Sequence, residues 1–310
     1  MAMRRVLVDS VLAVGVALAT VAATGSAVAE DGPAEGCARW ASSTVASGYG
    51  ILENLAFDGR GGMLLSEVPA SGVGGALRRL GSDGSRTELA QASSPGGIVV
   101  SGATAYFTTG GSLSSGFAGR ADGTIEALDL ERGTVATVAR GLTAPNGLAL
   151  LPDGGFVVSR DLGSPNTLTR IDADGTGARP FVAELTSTNG LAYDGTRRKL
   201  FVSTTFEPVT TLAAVDLTRP DAEPARITVP GFGPLNAADD LTVGPDGAVY
   251  LALNAAGRVL RIDPDTARTC VVADGIPFAT SARFGAGPGW DPGALYVTSF
   301  TGTITRLTPP

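Results

Sequence analysis

Four oxygen-bearing side chains recur at one position of a repeat and are the residues best suited to chemistry. They are Glu53, Asn146, Asn189 and Asp239. Each is the second residue of a short segment that leads into an apolar strand. The segment occurs six times, with this residue at positions 53, 96, 146, 189, 239 and 280, and the two other copies carry Gly and Thr there. Carboxylate and amide oxygens are the ligands that hard divalent cations prefer. The pattern predicts a metal site if the fold gathers these side chains.

The absence of one residue type narrows the chemistry further. The chain contains no histidine. Ser-His-Asp hydrolysis, Cys-His chemistry and histidine-ligated zinc or haem are therefore excluded. Any catalysis must rely on carboxylates, amides, hydroxyls, arginine or an oxygen-bound metal.

The spacing of the repeat predicts how these residues are positioned. Successive copies lie 43, 50, 43, 50 and 41 residues apart, and short strands separated by Asp-Gly turns fill the intervals. A period of this size in strand-rich units indicates a β-propeller. We predict an all-β, six-bladed β-propeller over residues 50–310. Equivalent positions in successive blades ring one end of the central axis, so the fold would gather the four side chains.

The ends of the propeller are predicted to meet in one blade. Two strands are expected in the last repeat after its inner strand, at Ala294–Thr298 and Thr303–Leu307, and no fourth strand follows. A spare strand, Trp40–Ala46, stands near the N-terminus. We predict that segment 30–49 supplies the closing strand of the last blade, because ring closure removes exposed sheet edges.

Residues 1–29 have the features of a signal peptide. Arg4 and Arg5 precede the apolar run Val11–Ala23, and Ala27-Val28-Ala29 is a typical cleavage site. The apolar run is short for a membrane span, and an uncleaved anchor is the alternative. We expect a secreted or extracytoplasmic protein that is free of the membrane after cleavage.

Charge and cysteine content also suggest partners and a covalent link. The net charge of −7 argues against binding to nucleic acid or anionic membranes. The expected partner is a small-molecule substrate, and the expected state is a monomer. Cys37 and Cys270 both lie in the exported portion, so a disulfide is predicted, with a buried pair of free thiols as the alternative. The bridge would tie the closing strand to the neighbouring blade.

The carboxylates at the repeat position favour one bound divalent cation. Glu53 and Asp239 would face each other across a narrow axis and repel unless a proton or a cation lies between them. Oxygen donors without nitrogen or sulfur favour Ca²⁺, with Mg²⁺, Mn²⁺ and Zn²⁺ as alternatives. The competing interpretation is that each Asn-Gly pair is an ordinary turn.

The repeat also resembles a known family, and four segments carry the resemblance most sharply. They are Pro145–Ala149 with Pro152-Asp153-Gly154, Asn189-Gly190-Leu191, Asp239–Val243 with Pro245-Asp246-Gly247, and Leu295–Ser299. These segments resemble the senescence-marker-protein (regucalcin)/gluconolactonase group of six-bladed propellers. The resemblance implies that Glu53, Asn189 and Asp239 hold a divalent cation on the axis. It also implies that Asn146 contacts water or substrate.

Four residues depart from the pattern of that family. Asn54-Leu55 stand where the family has Gly-Pro, and Asp240 stands where Gly is usual. Ala144 occupies the position of an arginine found in sugar-lactone members. The resemblance therefore implies a retained metal site and an altered sugar-binding apparatus.

The resemblance implies hydrolysis of a lactone or related ester. The cation would polarise the carbonyl. Asp239, helped by Asp240, would take a proton from the attacking water, and Asn146 would orient water or substrate. Arg160, next to Asp161, is predicted to reach the rim and bind substrate, with an ordinary surface pair as the alternative.

Two other functions fit the same sequence. One is a non-catalytic propeller that binds a ligand or protein and uses the metal structurally, because fold does not decide function. The other is a biosynthetic synthase or isomerase similar to the strictosidine-synthase-like propellers. Bound metal without turnover of any ester would favour the first, and activity that survives Asp239→Asn would favour the second.

Overall fold

The computed structural model describes residues 37–69, 71, 74–162 and 167–310. The predicted signal peptide and the first part of segment 30–49 lie outside the described residues. The described residues form six antiparallel four-stranded sheets, arranged as the blades of a propeller. The prediction of an all-β, six-bladed propeller is confirmed.

The strands are numbered in chain order, and the first of them, β1 (Ala41–Ala46), belongs to the last blade. Blade 1 comprises β2 (Ile51–Phe57), β3 (Gly62–Val68), β4 (Ala76–Gly81) and β5 (Arg86–Gln91). Blade 2 comprises β6 (Ile98–Ser101), β7 (Thr104–Thr109), β8 (Gly123–Asp129) and β9 (Val135–Leu142). Blade 3 comprises β10 (Leu148–Leu150), β11 (Phe156–Ser159), β12 (Leu168–Ile171) and β13 (Arg179–Pro180).

The second half of the propeller follows the same order. Blade 4 comprises β14 (Thr188–Asp194), β15 (Lys199–Thr204), β16 (Val209–Asp216) and β17 (Ala225–Phe232). Blade 5 comprises β18 (Ala238–Val243), β19 (Val249–Leu253), β20 (Arg258–Ile262) and β21 (Thr269–Ala273). Blade 6 comprises β22 (Ala279–Phe284), β23 (Leu295–Ser299) and β24 (Ile304–Thr308), and is completed by β1.

The inner strands form a closed ring around the axis. The first strand of each blade contacts the first strand of the next, and β22 of blade 6 contacts β2 of blade 1. Two short helices lie between strands, α1 (Leu113–Ala118) in blade 2 and α2 (Gly233–Asn236) before β18. No helix within the described ranges is both long and apolar enough to cross a membrane.

The apolar core is divided into six clusters, one between each pair of neighbouring blades. Phe201 of blade 4 lies in one cluster with Leu251 of blade 5, and Ile125 of blade 2 lies in another with Phe156 of blade 3. All four side chains are buried. Because each sheet buries side chains on both faces, packing between blades holds the inner strands around the axis.

The ring is closed by the N-terminal segment, as the sequence predicts. Strand β1 pairs antiparallel with β24, with Ala41 opposite Thr308. The main-chain NH of Trp40 donates to the Val272 carbonyl at 2.8 Å. Cys37 and Cys270 form a disulfide, with their Cα atoms 5.7 Å apart. This bond joins the closing segment to β21 of blade 5.

Loss of the disulfide is expected to lower the free energy of unfolding. The bond closes a loop with a sequence separation of 233, so its removal in Cys37→Ser/Cys270→Ser should cost about 2–4 kcal/mol. Urea titrations with and without reductant measure the effect. Reductant should shift the wild-type midpoint and leave that of the double variant unchanged. Equal wild-type midpoints under both conditions would contradict the expectation.

Candidate functional site

The predicted site residues lie where the inner strands begin, and a β-bulge marks this point in four blades. The strand register is interrupted at Glu53 in β2, Asn189–Gly190 in β14, Asp239–Asp240 in β18 and Thr280–Ser281 in β22. A bulge kinks the strand and redirects its side chains. The sequence interpretation placed these residues in turns before the strands, whereas the structure places them inside the strands.

Asn146 lies just before β10, and its main-chain environment is equivalent to that of the bulge residues in the other blades. Its main-chain NH donates to the Ser159 carbonyl at 2.9 Å, and the Ser159 NH donates to the Gly147 carbonyl at 3.1 Å. Two residues therefore oppose one on the neighbouring strand, as in a bulge. Blade 3 presents Asn146 in the same way that its neighbours present their site residues.

The glycines of the Asn-Gly pairs serve close packing between blades. A Cβ on Gly190 would lie 2.7 Å from the main-chain oxygen of Asp239 and 2.6 Å from the Cα of Asp240. A Cβ on Gly147 would collide with the main-chain oxygen of Asn189. Neither glycine has a positive φ, so a left-handed backbone conformation does not explain why glycine occupies these two positions. The interpretation of these pairs as ordinary turns is wrong.

A left-handed residue precedes the site position in five blades. Non-glycine residues with positive φ are uncommon, are energetically costly, and cluster at functional sites. Here they occur two residues before the site position. They are Ser94 (φ 44), Ala144 (φ 41), Ser187 (φ 49), Ala237 (φ 44) and Phe278 (φ 54). In these five blades the chain therefore enters the inner strand through the same tight bend, which sets the direction of the side chain two positions later.

Hydroxyl groups from the second strands hold the main chain of the site residues in the next blade. Each donates to a main-chain carbonyl across the boundary between two blades. The bonds are Ser66 Oγ to Gly96 O at 2.5 Å, Thr108 Oγ1 to Asn146 O at 2.8 Å, Ser159 Oγ to Asn189 O, and Ser203 Oγ to Asp239 O at 2.6 Å. The sequence interpretation missed these hydroxyls, although their spacing follows the blade repeat.

Side chains that follow the second strand contact the site residue of the same blade. The Asn189 Nδ2 donates to Thr205 Oγ1 at 3.1 Å, so the amide oxygen remains the atom for a cation. The Asn254 Nδ2 donates to Asp239 Oδ2 at 3.3 Å. Asn146 hydrogen-bonds Asp161 through its side chain. Each partner stands 15 or 16 residues after its site residue, a second regularity that the sequence interpretation missed.

Glu53 and Asp239 each experience burial and the negative charges of neighbouring carboxylates. Burial, followed by the charges of Asp161 and Asp240, raises the pKa of Glu53 from 4.5 to about 8. Burial, followed by the charges of Glu53, Asp240 and Asp161, raises the pKa of Asp239 well above its usual value of 3.8. The hydrogen bond from Asn254 opposes this rise. The fold thus gathers these carboxylates from blades 1, 3 and 5.

Asp161 belongs to this acidic group. Burial raises its pKa, while its own NH, the Leu162 NH, the charge of Arg160 and the Asn146 side chain lower it. Burial lowers the pKa of Arg160, and Asp161 opposes that effect. The alternative of an ordinary surface pair does not describe Asp161, because its charge reaches Glu53 and Asp239. Contact between Arg160 and a substrate stays a prediction.

The donor set fits a hard divalent cation. Burial and neighbouring negative charges raise the pKa of Glu53 and Asp239, and a bound cation would offset this electrostatic repulsion. Asn189 adds a neutral oxygen donor. In the described part of the chain, no three acidic or cysteine side chains are grouped as metal ligands. A site here would therefore depend on Glu53 and Asp239 together with amide oxygens and water.

The fold and this ring of oxygen donors define a six-bladed propeller with an acidic and amide-lined site at one end of its axis. The family model described as "SMP-30/Gluconolactonase/LRE-like region" matches residues 74–301. The chain belongs to this family, which confirms the resemblance inferred from the sequence. No curated protein sequence matches the chain significantly.

Solved structures share the fold with different chemistries. A gluconolactonase from Xanthomonas campestris is 19% identical over 87% of this chain and 89% of that chain, with a TM-score of 0.65. The PQQ-bound aldose sugar dehydrogenase from Streptomyces coelicolor is 19% identical over 87% and 98%, with a TM-score of 0.63. A virginiamycin B lyase from Staphylococcus aureus is 12% identical over 88% and 99%, with a TM-score of 0.57. At these identities the likeness shows the fold alone.

Proposed function

We propose that the protein is an exported, divalent-cation-dependent hydrolase of a lactone or related ester. The observation that carries the proposal is the group of carboxylates at the head of the inner strands, where burial and then neighbouring negative charges raise the pKa of both Glu53 and Asp239. Membership of the gluconolactonase-containing family supports lactone chemistry. Ca²⁺ is the favoured cation because the donors are all oxygen atoms.

Each site residue has a role in this reaction. Glu53, Asn189 and Asp239 would hold the cation, which supplies Lewis acidity toward the carbonyl when bound. Asp239 accepts a proton from the attacking water, and Asn254 orients its carboxylate through the 3.3 Å hydrogen bond. Asn146, held by Asp161, orients water or substrate.

Exposed apolar side chains around this end of the propeller favour an apolar substituent on the substrate. Seven of the nine exposed large hydrophobic residues in the described chain lie in loops or strand ends at the site end. They are Phe117, Phe206, Val209, Phe232, Leu235, Phe278 and Phe300. An apolar surface of this kind often marks a binding site. Ala144 offers no charged group for a polyhydroxylated ring, so we propose an aliphatic or aromatic lactone over a sugar lactone.

A panel of lactones assayed before and after chelation tests this function. We expect chelation to lower turnover at least about a hundredfold and Ca²⁺ to restore it. Lengthening an aliphatic substituent by two or three methylene groups should raise kcat/KM by about 15- to 60-fold, because each buried methylene contributes about 0.8 kcal/mol. Sugar lactones should be poor substrates.

Two surface variants sharpen this test. Phe278→Ser should reduce the preference for long substituents, whereas Val135→Ser removes an exposed apolar side chain at the start of β9 and should leave it unchanged. Bound metal without turnover of any ester would count against hydrolysis and favour a binding protein.

A further inference from the structure

We infer that four side chains beneath the predicted cation site form an axial plug that sets the affinity of that site for the cation. The axial plug consists of Asn54 from β2, Asp240 from β18, and Ser281 and Arg283 from β22. It joins blades 1, 5 and 6. The inference rests on the proposed function, because it assumes a cation held by Glu53 and Asp239.

The axial plug is centred on one carboxylate oxygen. Asp240 Oδ2 accepts from Asn54 Nδ2 at 2.7 Å and from Ser281 Oγ at 2.6 Å. The same oxygen lies 2.7 Å from Arg283 Nη2. Asp240 and Asn54 are each 4% exposed, and Ser281 is fully buried. A charge-assisted set of three donors fixes the position of this carboxylate.

Arg283 marks the lower boundary of the axial plug. Its Nη1 donates to the carbonyls of Leu241 at 2.7 Å and Ala282 at 2.9 Å. Arg283 also lines a cavity of about 740 Å³ formed by the far ends of all six inner strands. Arg283 therefore connects the carboxylate of Asp240 to the wall of this cavity.

The carboxylate of Asp240 is the negatively charged group of the axial plug and lies next to the predicted ligands. Asp240 directly follows the predicted ligand Asp239 in β18. Asn54, which donates to the Asp240 carboxylate, directly follows Glu53 in β2, so the field of this carboxylate acts on both ligands. The same field attracts a divalent cation, although Asp240 is not a predicted ligand. Arg283 makes the buried carboxylate tolerable in the metal-free protein, because a buried charge without its partner is strongly destabilising. Arg283 thus stabilises the metal-free protein, whereas its positive charge lowers the affinity of the site for the cation.

Calcium titrations of charge-changing variants test this inference. Asp240→Asn should weaken Ca²⁺ binding by about tenfold or more, because it removes a fixed negative charge near the cation. Arg283→Met should strengthen Ca²⁺ binding and destabilise the metal-free protein, so that its Ca²⁺-induced rise in Tm exceeds that of the wild type. Arg283→Lys keeps the charge and should bind Ca²⁺ like the wild type.

The double variant Asp240→Asn/Arg283→Met separates charge from folding. Without metal, the double variant should be more stable than Arg283→Met. Its Ca²⁺ binding should remain weak, as in Asp240→Asn. A matched control is the partly buried ion pair of Asp194 and Arg197, 2.7 Å apart at the far end of β14. Arg197→Met should lower stability without a change in Ca²⁺ affinity.

The outcomes distinguish this inference from the proposed function. The inference is overturned if the wild type binds Ca²⁺ and the Ca²⁺ affinities of Asp240→Asn and Arg283→Met both lie within twofold of the wild-type affinity. The axial plug would then have a purely structural role. If the wild type binds no divalent cation, or if Glu53→Gln binds Ca²⁺ as tightly as the wild type, the proposed cation site itself is wrong.

Discussion

Asp239→Asn is expected to lower kcat/KM for the preferred lactone by about a thousandfold or more, because it removes both a cation ligand and the proton acceptor. Asparagine keeps the size of the side chain, so the bulge in β18 should persist. The side chain sits where the bulge and the hydroxyl of Ser203 hold its main chain. The loss should therefore reflect charge, with little change in fold.

Kinetics and elemental analysis of the purified variants measure this effect. Glu53→Gln should lose metal and activity together, because it removes the second carboxylate of the pair. Asn254→Ala is the matched control: it removes only the hydrogen bond to Asp239 and should retain metal, with a loss of about tenfold in kcat/KM. Activity that survives Asp239→Asn would favour a synthase or isomerase over a hydrolase.

The second large effect is a dependence of stability on pH that the cation abolishes. The folded-state pKa of Glu53 is raised from 4.5 to about 8, so between these values the metal-free folded protein holds a proton that the unfolded chain has released. The free energy of unfolding of the metal-free protein should therefore fall as the pH rises from about 4.5 to 8, by about 3–5 kcal/mol. Asp239, whose pKa is also raised, contributes with the same sign.

Thermal or urea unfolding at several pH values, with chelator and with Ca²⁺, measures this dependence. A bound cation keeps the carboxylates ionised, so Ca²⁺ should stabilise the protein more at pH 8 than at pH 5. Glu53→Gln lacks the titrating group and should show a flatter dependence in the presence of chelator. A wild-type stability in chelator that stays constant or rises from pH 5 to 8 would contradict the burial of Glu53.

Much of the fold could be predicted because the repeat is local in origin. Short apolar strands and Asp-Gly turns depend on neighbouring residues, and their period fixes the number of blades. The closing strand β1 followed from a shortage of strands in the last repeat. The disulfide was predicted from the presence of two cysteines in a chain that was predicted to be exported, and the structure forms it.

The contacts that complete the site were harder to predict, although part of the signal was present. The hydroxyls of Ser66, Thr108, Ser159 and Ser203 recur with the blades, and Asn254 and Thr205 follow their partners by 15 and 16 residues. Serine and threonine are common in strand ends and turns, so such a regularity becomes meaningful only when the strands are seen to meet at the axis.

The sequence by itself determined the all-β repeat, the six blades and the identity of the oxygen donors at the repeat position. Only the tertiary structure decided that bulges place Glu53, Asn189 and Asp239 inside the strands and that burial raises the pKa of both carboxylates. It also paired Asn54 with Asp240, 186 residues apart, two positions that had appeared as unrelated departures from the family pattern. Contacts between blades are set by the packing of distant strands around an axis, and no local pattern of residues encodes which side chains will meet there.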